Sequence, residues 1–262
     1  EDGSTVTLLD HPNASGNPFP QAGALAADLD AAPGGELVVV QPNASEASQI
    51  APGVAVYSDD VQGGQGALLW SADAGTIDAE VSVNADITTD VDGDGYKEIV
   101  FSYRSAATGD AWVTQLLNGS DGSLLAELAD ARFEGSADLD GAAGAEVVVA
   151  STSGLGVYSY DDATDDLVLV AEVPGQRALT LVDSDLKSRG PVSSRLAVVP
   201  SSNGAPMLLT GVASGAPTAQ SAVNAFTEVH GYVYGQGALL HAGSFSPLVG
   251  TVTGAMRADF AT

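Results

Sequence analysis

Short apolar runs recur along this chain, each bounded by Gly, Asp, Asn or Pro, and they predict strands. Glu36-Leu-Val-Val-Val40, Glu98-Ile-Val100, Glu146-Val-Val-Val149 and Arg195-Leu-Ala-Val-Val199 each follow an acidic, turn-like stretch. Gly53-Val-Ala-Val-Tyr57 and Val157-Tyr-Ser-Tyr160 are further strand-like runs. Four hairpins are predicted: 53–57 with 64–70, 111–116 with 123–128 across Asn118-Gly-Ser-Asp-Gly122, 157–160 with 167–170 across Asp161-Asp-Ala-Thr-Asp-Asp166, and 231–234 with 235–241. No segment keeps a helical period over about 11 residues.

The runs are organised as repeats. Asp28-Leu-Asp30, Asp90-Val-Asp92 and Asp138-Leu-Asp140 each lead to Glu36, Glu98 and Glu146, so that Asp, Asp and Glu fall at relative positions 1, 3 and 9. A decayed copy opens at Asp183-Ser-Asp185. The hexapeptide Gly-Gln-Gly-Ala-Leu-Leu occurs at 64–69 and again at 235–240, followed by Trp70 and His241. Each repeat supplies about four short strands. Such units match the blades of a β-propeller, which bury a face against each neighbour; a β-sandwich does not explain the repetition. The expectation is an all-β fold, one β-propeller domain over 1–262. Its repeats lie at about 19–75, 76–131, 132–175 and 176–243, with a partial repeat at 244–262 completed by 1–18. That implies about five blades, or part of a larger ring.

Charge changes the picture next. The 262 residues carry 34 acidic side chains against eight Lys plus Arg, a net charge of −26, yet 45% are hydrophobic. The acidity therefore decorates a folded core and not a disordered tail. It disfavours nucleic acid and anionic membranes as partners, and it fits a saline or divalent-rich habitat in which ions screen repulsion. There is no cysteine, which excludes disulfides, thiolate metal sites and a cysteine nucleophile. No apolar run reaches the roughly 18 residues of a membrane helix, so direct membrane insertion is not expected. Sequons at Asn13, Asn43 and Asn118 are candidate glycosylation sites and favour an extracellular or cell-surface location.

The sharpest chemistry lies in Asp90-Val-Asp92-Gly-Asp94-Gly-Tyr96-Lys-Glu98. Three carboxylates at alternate positions can converge on one cation when Gly93 and Gly95 let the loop curl. The Tyr96 carbonyl and the Glu98 carboxylate raise the donor set to the six or seven oxygens that Ca²⁺ prefers. An EF-hand is excluded, because the twelfth position is Phe101 and the flanks are strands.

With this loop and its repeats, the chain resembles the integrin-type FG-GAP or VCBS-repeat family of β-propellers, well over about residues 19–200 and weakly beyond. The resemblance implies structural calcium held by Asp90, Asp92, Asp94, Glu98 and the Tyr96 carbonyl. It implies weaker sites at Asp28, Asp30 and Glu36, where Ala32 replaces the middle acid, and at Asp138, Asp140 and Glu146, where Ala142 does. In the fourth loop Lys187 and Pro191 break the pattern.

Catalytic signatures are missing. The three histidines, His11, His230 and His241, form no His-x-x-x-His pair, and neither a Gly-x-Ser-x-Gly nor a P-loop occurs. The expectation is a non-enzymatic, calcium-stabilised propeller that binds protein partners within a surface adhesin, filament or complex. The alternative is a carbohydrate-binding propeller, or the scaffold of a polysaccharide-degrading enzyme, with glycans as ligands.

Overall fold

A computed structural model describes residues 23–32, 34–41, 52–58, 67–75, 79–82, 87–178, 180–182, 194–213, 226–235 and 237–245. The sequons at Asn13 and Asn43, the fourth acidic turn and both chain ends expected to complete a fifth blade lie outside them. The described residues form an all-β structure whose strand pairs are antiparallel, with one 3₁₀ turn at Ala106–Thr108.

The first sheet runs in chain order: β1 (Gly23–Ala27), β2 (Glu36–Gln41), β3 (Gly53–Tyr57) and β4 (Leu68–Asp73). In the second, β5 (Glu80–Ser82) and β6 (Thr88–Thr89) pair with opposite ends of β7 (Glu98–Arg104), followed by β8 (Val113–Leu117) and β9 (Leu124–Ala129). The third is again a simple meander of β10 (Arg132–Ala137), β11 (Glu146–Ala150), β12 (Gly154–Asp161) and β13 (Asp166–Pro174).

The last repeat is less regular. β14 (Arg177–Ala178) and β17 (Val198–Pro200) both pair with β18 (Pro206–Ala213), which continues into β19 (Phe226–Gly235) and β20 (Ala238–Phe245). β15 (Thr180–Val182) and β16 (Ser194–Leu196) form a separate ladder. The run 195–199, expected as one strand, divides at buried Ala197, whose carbonyl accepts the Leu209 N–H at 3.0 Å.

Burial falls from the second strand of each sheet to the fourth. Val38 to Val40, Ile99 to Phe101 and Val147 to Val149 are all buried, as expected of strands covered on both faces. Val147 and Val149 pack with the first two sheets, whereas Val148 turns to Leu155 and Leu208 on the other side. The third sheet is thus sandwiched between the second and the fourth, and β13 runs beside both β9 and β20. The fourth strands are the exposed ones, carrying Leu68, Leu69, Leu124, Val168, Leu169 and Leu240 at the surface.

Each sheet carries a bulge between its third and fourth strands, at Val56/Tyr57, Leu116/Leu117, Val157/Tyr158 and Gly231/Tyr232. An extra residue there bends the outer strand and sharpens its twist.

Candidate metal centre

The acidic loops connect the first and second strands of the first three sheets, and they share one internal frame. The position-9 glutamate opens each second strand and is buried, with Glu98 only 3% exposed. One oxygen of that carboxylate accepts the N–H of position 2: Leu29 to Glu36 at 2.9 Å, Val91 to Glu98 at 2.7 Å and Leu139 to Glu146 at 2.7 Å. Position 2 is itself a buried apolar side chain in all three loops. Packing drives that side chain inward, and the glutamate follows to satisfy the backbone donor that is buried with it.

The aspartates fold the rest of the loop. Asp90 accepts from the Gly93 and Gly95 N–H groups at 2.7 and 3.0 Å, and Asp92 accepts from Asp94 at 3.0 Å. The third loop repeats this, with Gly141 donating to Asp138 and Ala142 to Asp140, both at 2.7 Å. These are Asx-type turns. Gly93 sits at φ 79°, a conformation that favours glycine.

The frame gathers two sets of carboxylates among the described residues. Asp90, Asp92 and Glu98 each bring an oxygen within 4.8 Å of the others, and so do Asp138, Asp140 and Glu146. Asp28, Asp30 and Glu36 do not gather in this way. Asp94 stays outside the second-loop set; it is exposed and its carboxylate accepts the Tyr96 N–H at 2.7 Å. Asn118 caps its own hairpin turn, accepting from the Ser120 N–H at 2.9 Å.

Electrostatics fit a cation. Burial pushes the Glu98 carboxyl up to about 7, and Asp92 and Asp94 add to the rise against the Val91 N–H, which lowers it. Asp92 is raised by burial, with Asp94, Asp90 and Asp162 adding to it. Glu146 is raised by burial first, with Asp140 and Asp138 contributing. The charges acting on these groups are other acids. A divalent ion would relieve that repulsion, and the oxygen-only donor set is one for a hard ion such as Ca²⁺.

Two long-range features were not read from the sequence. The loops are chained: the Lys97 N–H donates to the Asp28 carbonyl at 3.3 Å, and the Ala145 N–H to the Asp90 carbonyl at 2.8 Å. Both bonds run from position 8 of one loop to position 1 of the loop before it. The hairpin tip of each following sheet also overhangs the preceding loop. Trp70 Nε1 donates to the Gly119 carbonyl at 2.9 Å, beside Leu29. The charge of Asp162 in the third sheet acts on Asp92 of the second, and Asp92 in turn adds to the rise of the Tyr160 hydroxyl. Burial raises the Tyr234 hydroxyl, and Asp140 and Glu146 of the third loop add to the effect. Beyond the recurring Asp, Asp and Glu, the recurring apolar position 2 was a trace of this frame in the sequence.

No protein-family model matches the chain, and no curated protein matches it. Among solved structures, an exotype rhamnogalacturonan lyase, YesX, is similar at 14% identity and a TM-score of 0.40, over 86% of this chain and 56% of that one. The Bacillus licheniformis rhamnogalacturonan lyase PL11 is similar at 13% identity and 0.40, over 86% of this chain and 52% of its own length. The chain spans little more than half of either protein.

Proposed function

We propose that the protein is an extracellular, calcium-stabilised β-propeller that serves as a protein-binding module in a cell-surface assembly. The propeller reading is supported by the four-stranded meanders, by the loops chained from the first sheet to the third, and by the hairpin tips that overhang the preceding loops. Calcium at Asp90, Asp92 and Glu98, and more weakly at Asp138, Asp140 and Glu146, would tie the first two strands of a blade together. Asp94 and the Tyr96 carbonyl would join the second site only if the loop tightened around the ion.

One observation carries the binding role. The fourth strand of every sheet exposes leucine or valine beside its bulge, with Leu68 at 55% and Leu240 at 52%. Large apolar side chains repeated on the outer strands of successive sheets are a surface that a protein partner would cover. The test is cross-linking at the intact cell surface with calcium present. The parent protein is expected to yield a fixed set of protein partners that Leu68→Glu/Leu169→Glu/Leu240→Glu loses. Selective signal on a glycan array, unchanged by those substitutions, would replace this reading with carbohydrate binding.

A further inference from the structure

His230 on β19 and His241 on β20 face each other with Nδ1 and Nε2 3.3 Å apart and ring centroids 5.3 Å apart. The bulge makes this meeting possible. His230 pairs with Ser244 and Gly231 with Gly243, but Tyr232 pairs with His241, leaving Ala242 as the extra residue. In an unbroken ladder Tyr232 would oppose Ala242, and His241 would project from the other side of the sheet. The inserted residue brings His241 onto the face of His230 and Tyr232.

The contact between the two rings is a hydrogen bond whose donor depends on the tautomer. His230 Nε2 is solvent-inaccessible and has no hydrogen-bond partner among the described residues, and the Glu228 carboxylate lies 3.6 Å from it. With a proton on the Nε2 that faces this carboxylate, His230 Nδ1 accepts from His241 Nε2, and a metal ion bound between the rings would displace that one shared proton. Tyr232 walls the pair, its ring 5.4 Å from that of His241 and its hydroxyl held by Gln176 at 2.9 Å. Gln176 is held in turn by the Thr210 hydroxyl.

We propose that His230 Nδ1 and His241 Nε2 form a binding site for a divalent transition-metal ion of the zinc class. Two nitrogens each about 2.0–2.1 Å from a tetrahedral zinc stand about 3.3–3.4 Å apart, which matches the observed spacing. Imidazole pairs select zinc, copper or nickel over calcium, so this site is chemically separate from the carboxylate loops. Glu228 is a positioning residue on the far nitrogen of His230, the arrangement by which carboxylates orient metal-bound histidines. His241 is exposed, so water completes the coordination.

The test is titration of the whole chain with Co²⁺ in excess calcium, reading the visible absorption of nitrogen-ligated cobalt and its displacement by Zn²⁺. One equivalent is expected. His241→Ala, at an exposed position, should keep the circular dichroism and unfolding midpoint of the parent but lose the absorption. Glu228→Gln should weaken binding about tenfold. An absorption that survives His241→Ala, or that disappears with His11→Ala, overturns the proposal; so does the absence of any nitrogen-ligated signal in the parent.

Discussion

Glu98 joins two roles that pull against each other. It caps the Val91 N–H inside the core, and it stands with Asp90 and Asp92 where a third negative charge is unwelcome. In the metal-free protein its carboxyl is raised from 4.5 to about 7. Between those values the folded state holds a proton that the unfolded chain has released, so stability falls as pH rises through the window. The metal-free protein should therefore melt at a lower temperature at pH 7.5 than at pH 5.5. Glu98→Gln should flatten that slope, because the amide oxygen still accepts from Val91 and never ionises. Calcium should remove it in the parent by pairing with the ionised form. At a calcium concentration about 100 times its Kd the gain is about 2.7 kcal/mol, or about 5–10 °C for a chain of this size. Asp92→Ala should lose most of that rise. Thermal scans at two pH values, with and without calcium, read all of these, and a calcium response retained in Asp92→Ala would return the loop to an ordinary turn.

At the scale of elements, the joint between successive loops is as specific as the ladders. The second and third loops interlock where the Ala145 N–H meets the Asp90 carbonyl and Gly144 lies under Val91. Gly144 has φ 87°, and a Cβ there would stand 2.4 Å from the Val91 carbonyl oxygen. Gly141, in the same loop at φ 78°, has open space around that position. Both alanines meet a left-handed strain of about 1–2 kcal/mol, and Gly144→Ala adds the backbone clash, so it should cost clearly more than Gly141→Ala, measured by urea denaturation. Equal costs would mean that the loops do not lock together. The hairpins around 118–122 and 161–166 were legible because their turn residues are local. The bulges beside them were not, since an extra residue in a strand is defined only by what stands opposite it.

For the whole molecule, charge sets the working conditions. A net charge of −26 on 262 residues is a self-repulsion that salt screens, with a Debye length of about 3 Å at 1 M. The unfolding midpoint should rise steadily between low and molar NaCl, with millimolar calcium adding a further increment that NaCl does not reproduce. A midpoint independent of NaCl would show that the acids are spaced widely enough for repulsion to be negligible. The two ion effects separate because diffuse charge is screened by any electrolyte, whereas converged carboxylates need a divalent ion at one point.

Local chemistry was enough to mark the apolar runs that form second strands, the outer hairpins and the acidic loops that lead into the second strands. Apolar runs, turn residues and the 1, 3, 9 spacing of Asp90, Asp92 and Glu98 are properties of neighbouring residues. Tertiary structure decided the rest. It separated Asp94 from the carboxylate set by turning it to the Tyr96 N–H, and it left Asp28, Asp30 and Glu36 apart although their spacing is the same. It gave Glu98 its buried backbone partner, brought the charge of Asp162 to bear on Asp92 from 70 residues away, and brought His241 to His230 through one inserted residue. Convergence of side chains from different strands depends on register, twist and burial, and these are fixed only when the sheets pack.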